Sequence, residues 1–251
     1  MIKIGKAILG KGPAIALTVT DRETPGSVKK AKSLIKAAGG PPLLLEIRID
    51  RFRNLSDSYL RSKVRPLKKL NLPLIATIRS RKEGGARTLS DSARLELFKK
   101  ILPRVNAVDV ELSSSDLRKK LIPLARRSGK RVILSYHNFS STPSESSMVQ
   151  FIRKAKRSGA DLVKLAVTPK TSGDLARLLR VTHRYRKENL ITLAMGKLGA
   201  PSRTLGFLFG SLFTYSFIGP KPQAPGQLPL KNLIREIEFF PKVTRGYGKL
   251  Q

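Results

Sequence analysis

Short apolar runs recur about every thirty residues along this chain, each followed by a helix-length segment, and that rhythm limits the folds open to it. The runs lie at 14–20, 43–49, 74–78, 108–112, 132–137, 161–167, 190–195 and 213–218. Helices are expected at Pro25–Ala38, ending at Gly39-Gly40, and at Ser56–Leu70, Ser90–Leu102, Ser115–Ser128, Ser146–Ser158, Ser172–Lys187, Ser202–Leu212 and Leu230–Phe240. Connections of this length suit right-handed crossovers between parallel strands, and eight of them close a sheet on itself. The expected fold is a (β/α)8 barrel of the TIM type, one domain over 1–251 with a short N-terminal extension. An open doubly wound sheet would carry a glycine-rich phosphate turn after its first strand, and Val19-Thr20-Asp21-Arg22 is not one.

In a closed parallel barrel neither face of a strand meets water, so charges on the inward face need a reason. Alternation puts Ser135 and His137 inward on the fifth strand and Lys164 inward on the sixth. The second strand turns Glu46, Arg48 and Asp50 to the same interior, and the third adds Thr77 and Arg79, followed by a loop through Glu83-Gly84-Gly85. Asp109 and Glu111 on the fourth are explained by pairing with neighbouring cations nearly as well as by catalysis. The seventh ends at Met195-Gly196, ahead of Gly199, Ser202 and Arg203. Barrel sites lie at the C-terminal ends of strands, where all these residues fall.

Composition excludes several chemistries. The chain has no cysteine and two histidines, His137 and His183, which removes thiolate nucleophiles and disulfides and leaves no multi-histidine metal site. Absent cysteine also fits a cytoplasmic protein. Met1–Gly12 carries three lysines and builds no apolar leader, and the uncharged stretch 204–220 is too short to span a bilayer. His183 sits in a basic helix and is expected at the surface, while Phe207, Phe209, Phe213 and Phe217 are expected in the core. Fifty basic against seventeen acidic residues give a net charge of +33. That charge is spread over almost every helix instead of one face, which describes a solvated cationic shell better than a nucleic-acid groove. Non-specific association with polyanions is expected either way.

A lysine among cationic neighbours in a low-dielectric pocket titrates low enough to act as a free amine and to condense with a carbonyl. A nearby imidazole can move the proton that the resulting imine acidifies. Arginines imply an anionic substrate, because guanidinium grips a carboxylate bidentately. These residues describe an imine-forming lyase or aldolase acting on a small oxo-acid. A polyanion-binding protein on an inactive barrel is the alternative from another class.

The motifs Glu46-Ile47-Arg48-Ile49-Asp50, Thr77-Ile78-Arg79 with Glu83-Gly84-Gly85, Ser135-Tyr136-His137-Asn138-Phe139 with Thr142-Pro143, and Lys164 together resemble the type I 3-dehydroquinate dehydratase family. Met195-Gly196-x-x-Gly199-x-x-Ser202-Arg203 and Ala224-Pro225-Gly226-Gln227 follow in the family's order, whereas a class I aldolase would not explain them. The resemblance implies a cofactor-free hydro-lyase of the shikimate pathway of aromatic amino acid biosynthesis, usually dimeric, converting 3-dehydroquinate to 3-dehydroshikimate. It implies that Lys164 forms the Schiff base, that His137 is the general acid and base, and that Glu83 orients it. It further implies that Arg203 holds the substrate carboxylate, that Glu46, Arg48, Arg79 and Gln227 grip hydroxyls and carboxylate, and that the loop through Ala224–Gln227 closes over the ligand. One position departs. Where the family carries a serine that contacts substrate, this chain has Gln223, whose longer amide is expected either to keep a hydrogen bond or to crowd the lid. The strongly basic surface is also unlike the family.

Overall fold

The computed structural model describes residues 1–244. It opens with an antiparallel hairpin, β1 (Ile2–Ile4) and β2 (Ala7–Leu9), that the sequence left as an extension. Gly5 turns it at φ 53°, the left-handed backbone that two-residue hairpin loops favour. Ile2, Ile4, Ala7 and Leu9 share its buried face and pack against the interior of the main sheet, so the hairpin plugs one end of it.

Eight parallel strands then alternate with helices: β3 (Ile15–Val19), α1 (Pro25–Ala37), β4 (Leu43–Arg48), α2 (Asp57–Lys68), β5 (Leu74–Thr77), α3 (Asp91–Ile101), β6 (Ala107–Glu111) and α4 (Ser115–Arg127). The series continues through β7 (Arg131–Asn138), α5 (Glu145–Arg157), β8 (Leu162–Val167), α6 (Ser172–Arg184), β9 (Leu190–Ala194), α7 (Ala200–Leu205) and β10 (Thr214–Phe217). A short β11 (Leu228–Pro229) adds to β10 before α8 (Leu230–Thr244). Ladders run unbroken from β10 through β3 to β9. At the remaining seam, the backbone N–H of Leu212 donates to Leu190 O at 2.8 Å and Ser211 Oγ accepts from Thr192 N at 3.0 Å. The sheet thus curls into the expected barrel.

Local chemistry explains most boundaries. Ser56, Ser90 and Ser144 cap α2, α3 and α5 with side-chain oxygens, and Thr24 and Thr171 form capping boxes on α1 and α6. Two expectations shift. The helix drawn to Lys187 ends at Arg184, and a single 3-10 turn then reaches Asn189 at φ 57°. The helix drawn over 202–212 is α7 plus a 3-10 turn at Gly206–Phe209, stopped where Gly210 adopts φ 101°. Among the described residues no helix is long and apolar enough to cross a membrane.

The core has two parts. Outward side chains of the strands meet the buried stripes of the helices, with Leu45, Ile47, Val108, Val110, Leu134 and Leu165 fully covered. Each such aliphatic side chain contributes about 1.5–3 kcal/mol on burial. Inside the barrel, Ala16, Leu44, Ile75, Ala107, Ile133, Leu162 and Ile191 form an apolar layer on the hairpin plug. One pleat further along the same strands the interior changes character, to Thr18, Glu46, Thr77, Asp109, Ser135, Lys164 and Tyr215. That change marks the floor of a pocket. Phe213 and Phe217 are buried as expected, Phe207 and Phe209 on the 3-10 turn are only half-buried, and His183 is exposed as expected.

Candidate active site

Lys164 stands at the centre of the polar layer, with only 5% of its surface exposed. The β7–β8 register pairs it with Ser135, and β5–β6 pairs Thr77 with Asp109, which sets the charged side chains at similar depth. Its Nζ lies 3.3 Å from Asp109 Oδ2 and 3.7 Å from Glu46 Oε1. The ring of Tyr215 lies beneath it, with Nζ 4.1 Å from the ring centroid. The nearest charges are therefore carboxylates, not the cations expected from sequence. Burial nevertheless holds the amine below its ordinary pKa, because Asp109 and Glu46 only partly offset the desolvation and Arg79 works against them.

Glu46 is fixed from both sides, accepting from Thr18 Oγ1 at 3.1 Å and Thr77 Oγ1 at 3.0 Å. Burial pushes Asp109 upward, yet Arg79 and Lys164 outweigh it and keep the carboxylate ionised well into acid. Arg79 reaches Asp109 through Nη2 at 2.9 Å, and its Nη1 donates to Ser135 Oγ at 2.6 Å and Glu111 Oε1 at 3.3 Å. Its guanidinium is thus committed to the barrel wall as well as facing the pocket.

His137 ends the inward face of β7. Its Nδ1 and its backbone N both lie 3.0 Å from Glu83 Oε2, and Ser113 Oγ donates to the other carboxylate oxygen at 2.6 Å. Accepting the Nδ1 proton assigns the tautomer and leaves Nε2 as the basic nitrogen. Burial, reinforced by Arg79 and Lys164, holds His137 well below the usual imidazole range, so the ring is neutral at pH 7. Glu83 is moved the other way, upward, chiefly by burial.

The mouth is cationic. Arg48 is gripped bidentately by Asp50 at 2.9 and 2.8 Å, and Asp50 also takes the backbone N–H groups of Arg79 and Ala86. Among the described residues, Arg203, on α7, has no carboxylate beside it. Its Nη2 donates to Pro225 O at 3.0 Å, its buried Nε has no hydrogen-bond partner among the described residues, and burial holds its pKa down to about 10. An unpaired buried guanidinium is a site awaiting an anion. Arg51, in the 3-10 turn after β4, donates to Gln223 O at 3.3 Å, and its Nε is likewise buried with no partner among the described residues.

The loop before β11 covers this mouth. Gln227 Oε1 accepts from Gln223 N at 2.8 Å, and Gln227 Nε2 reaches Thr18 Oγ1 and Ser216 O, both at 3.3 Å. The Gln223 amide folds back to Lys221 O at 3.3 Å, so its length is taken up inside the loop. Gly226 takes φ 72° and approaches Gly196 so closely that a Cβ would sit 2.4 Å from the Gly196 carbonyl oxygen.

One pocket gathers Lys164, His137, Glu83, Glu46, Arg48, Arg79, Arg203, Gln223 and Gln227. Sequence reasoning missed Thr18, Tyr215 and Arg51, which line it as well. Alternation along β3 and β10 carried the signal for the first two. Arg51 lies beyond the end of its strand, where no alternation rule applies.

A family model described as type I 3-dehydroquinase matches residues 24–240. The 3-dehydroquinate dehydratase of Hydrogenobaculum sp. is 34% identical over 226 residues, covering 90% of this chain and 98% of that protein. The enzyme of the same name from Aquifex aeolicus is 36% identical over 220 residues, covering 88% and 95%. The crystal structure of 3-dehydroquinate dehydratase from Geobacillus kaustophilus aligns with a TM-score of 0.85 at 30% identity, covering 99% of this chain and 97% of that one.

Proposed function

The chain belongs to the type I 3-dehydroquinase family, and on that premise we infer that it dehydrates 3-dehydroquinate to 3-dehydroshikimate in the shikimate pathway, with Lys164 as the imine-forming amine. The observation that carries the assignment of Lys164 is its buried amine, held between Asp109 and Glu46 in the pocket that also contains His137.

The chemistry follows from those positions. The free amine of Lys164 adds to the ring ketone, and the carbinolamine takes up one proton from solvent and loses water to give a protonated imine, the proton returning to solvent on hydrolysis. That cation acidifies the adjacent C2–H, and His137 Nε2 takes the proton while its Nδ1–H stays on Glu83. The enamine electrons expel the C1 hydroxyl, which His137 reprotonates as it leaves as water. Water then hydrolyses the conjugated imine, releasing the enone and the amine. One water is lost overall. Asp109 and Glu46 face the nitrogen through each change of its charge. Arg203 meets the substrate carboxylate at the mouth. Arg48, Arg79 and Gln227 contact its other oxygens, and the segment from Gln223 to Gln227 excludes water.

Borohydride treatment during turnover tests the assignment. Mass analysis should find one reduced adduct, on Lys164, absent from Lys164→Ala. An adduct elsewhere, or none with turnover intact, overturns it. The reading extends to a cytoplasmic homodimer whose basic surface holds polyanions non-specifically. Light scattering at low and high salt checks both, since a dimer survives added salt and polyanion capture does not.

A further inference from the structure

The pocket does not use Arg94, which lies on α3 outside the barrel wall with 1% of its surface exposed. Its Nε donates to Ile78 O at 2.9 Å, and its Nη1 meets Ser114 Oγ at 2.9 Å and Asp91 Oδ1 at 3.1 Å. Its Nη2 holds Glu111 Oε2 in a very short contact. The Ser114 hydroxyl, placed where a helix cap would be, leaves α4 uncapped and serves Arg94 and Glu111 instead. From Glu111 the contacts run inward. Glu111 Oε1 takes Arg79 Nη1, Asp109 Oδ2 takes Arg79 Nη2, and that same oxygen takes Lys164 Nζ. Charges alternate along the whole path, in surroundings where each is felt strongly by the next.

We propose that Arg94 is a positioning residue for the reaction at Lys164, acting through Glu111, Arg79 and Asp109. The proposal rests on the imine reading above. Arg79 is shared between two carboxylates, and Arg94 supplies the counter-charge that lets Glu111 release part of its hold on it. Without Arg94, Glu111 is an uncompensated buried anion that draws Arg79 to itself. Asp109, which keeps the Ser135 hydroxyl on Oδ1, then turns to its other charged partner, Lys164, and favours the ammonium over the nucleophilic amine. Neutralising Glu111 has the opposite effect, because Arg79 is left wholly to Asp109. The other groups facing Nζ stay in place in either case: Glu46 and Arg48 from β4, His137 from β7 and Tyr215 from β10. Farther round the mouth, Arg51, Glu83 and Arg203 are also untouched. The β9 residues Leu190–Ala194 bring no titratable group.

The test is reductive trapping of 3-dehydroquinate on the full chain across a pH series, with the midpoint of adduct formation as the readout. Arg94→Met should move the midpoint up and Glu111→Gln should move it down. Each shift should be roughly one pH unit, the size that one uncompensated charge exerts at ~10 Å in a protein interior. Arg94→Lys, which keeps the charge, should stay near wild type. Structural damage alone would move the first two variants in the same direction. A shared direction, or a folded Arg94→Met with the wild-type midpoint, overturns the proposal. Should Arg94→Met fail to fold, Glu111→Gln with an unmoved midpoint overturns it equally. Wild-type enzyme that gives no adduct on Lys164 defeats the imine reading itself, before any variant is compared.

Discussion

Nδ1 of His137 and Oε2 of Glu83 lie 3.0 Å apart, and the same oxygen accepts the backbone N–H of His137. One carboxylate thereby fixes both the ring and the strand end that carries it. Replacing the ring should separate the two halves of the reaction. In His137→Ala, adduct on Lys164 should still form, while turnover drops ~10²–10⁴-fold. Turnover at the wild-type level would remove His137 from the proton transfers.

The same pair sets a pH expectation. Burial and the nearby cations Arg79 and Lys164 lower the folded pKa of His137 beneath 6.5. The unfolded chain therefore binds a proton below pH 6.5 that the folded chain refuses until lower pH, so this residue costs stability as pH falls through that window. His137→Gln should flatten the loss of thermal stability between pH 6.5 and the acid limit of folding. An unchanged slope in melting scans would contradict the neutral, buried ring.

Asp50 is wholly buried and holds Arg48 by two hydrogen bonds. Burial raises its pKa, but the Arg48 bonds and the backbone donors of Ala86 and Arg79 outweigh it, and the folded value is lowered. Its contribution is complete above the unfolded value near 3.8 and is lost as pH falls through the folded one. Asp50→Asn strands a buried guanidinium and should cost about 3 kcal/mol, a fall in melting temperature of roughly 6–12 °C at neutral pH. The deficit should shrink in acid, where wild type loses the same interaction.

Arg51 and the lid should be separable from the chemistry. Arg51→Ala removes the donor to Gln223 O, a half-buried charged hydrogen bond worth about 1 kcal/mol. A rise in KM of roughly fivefold with little change in kcat is expected, together with faster hydrogen exchange in 221–227. An equal fall in kcat would show that Arg51 acts on the reacting atoms and not on the lid.

Gly226 gives a second handle on the lid. An alanine there must leave φ 72° or push the Gly196 carbonyl, which its Cβ would meet at 2.4 Å. Gly226→Ala should weaken substrate binding while leaving the melting temperature within ~2 °C, since the loop contributes little to the core. A large fall in melting temperature instead would make this contact part of the fold.

Alternation along the strands was enough to read which side chains share the interior. Glu46, Asp109, His137 and Lys164 follow from a period of two on β4, β6, β7 and β8, and the eightfold rhythm of runs and helices required the barrel. The tertiary structure alone decided which of those charges touch. Lys164 was expected among cations and lies between Asp109 and Glu46, because the stagger between strands sets depth and no local pattern encodes stagger. Arg51, which holds the lid from the turn after β4, and Arg94 behind the wall were invisible for a related reason. Arg51 meets a segment far along the chain that the curled sheet brings within reach, and Arg94 meets Ile78, Glu111 and Ser114 only once α3 packs across β5 and β6.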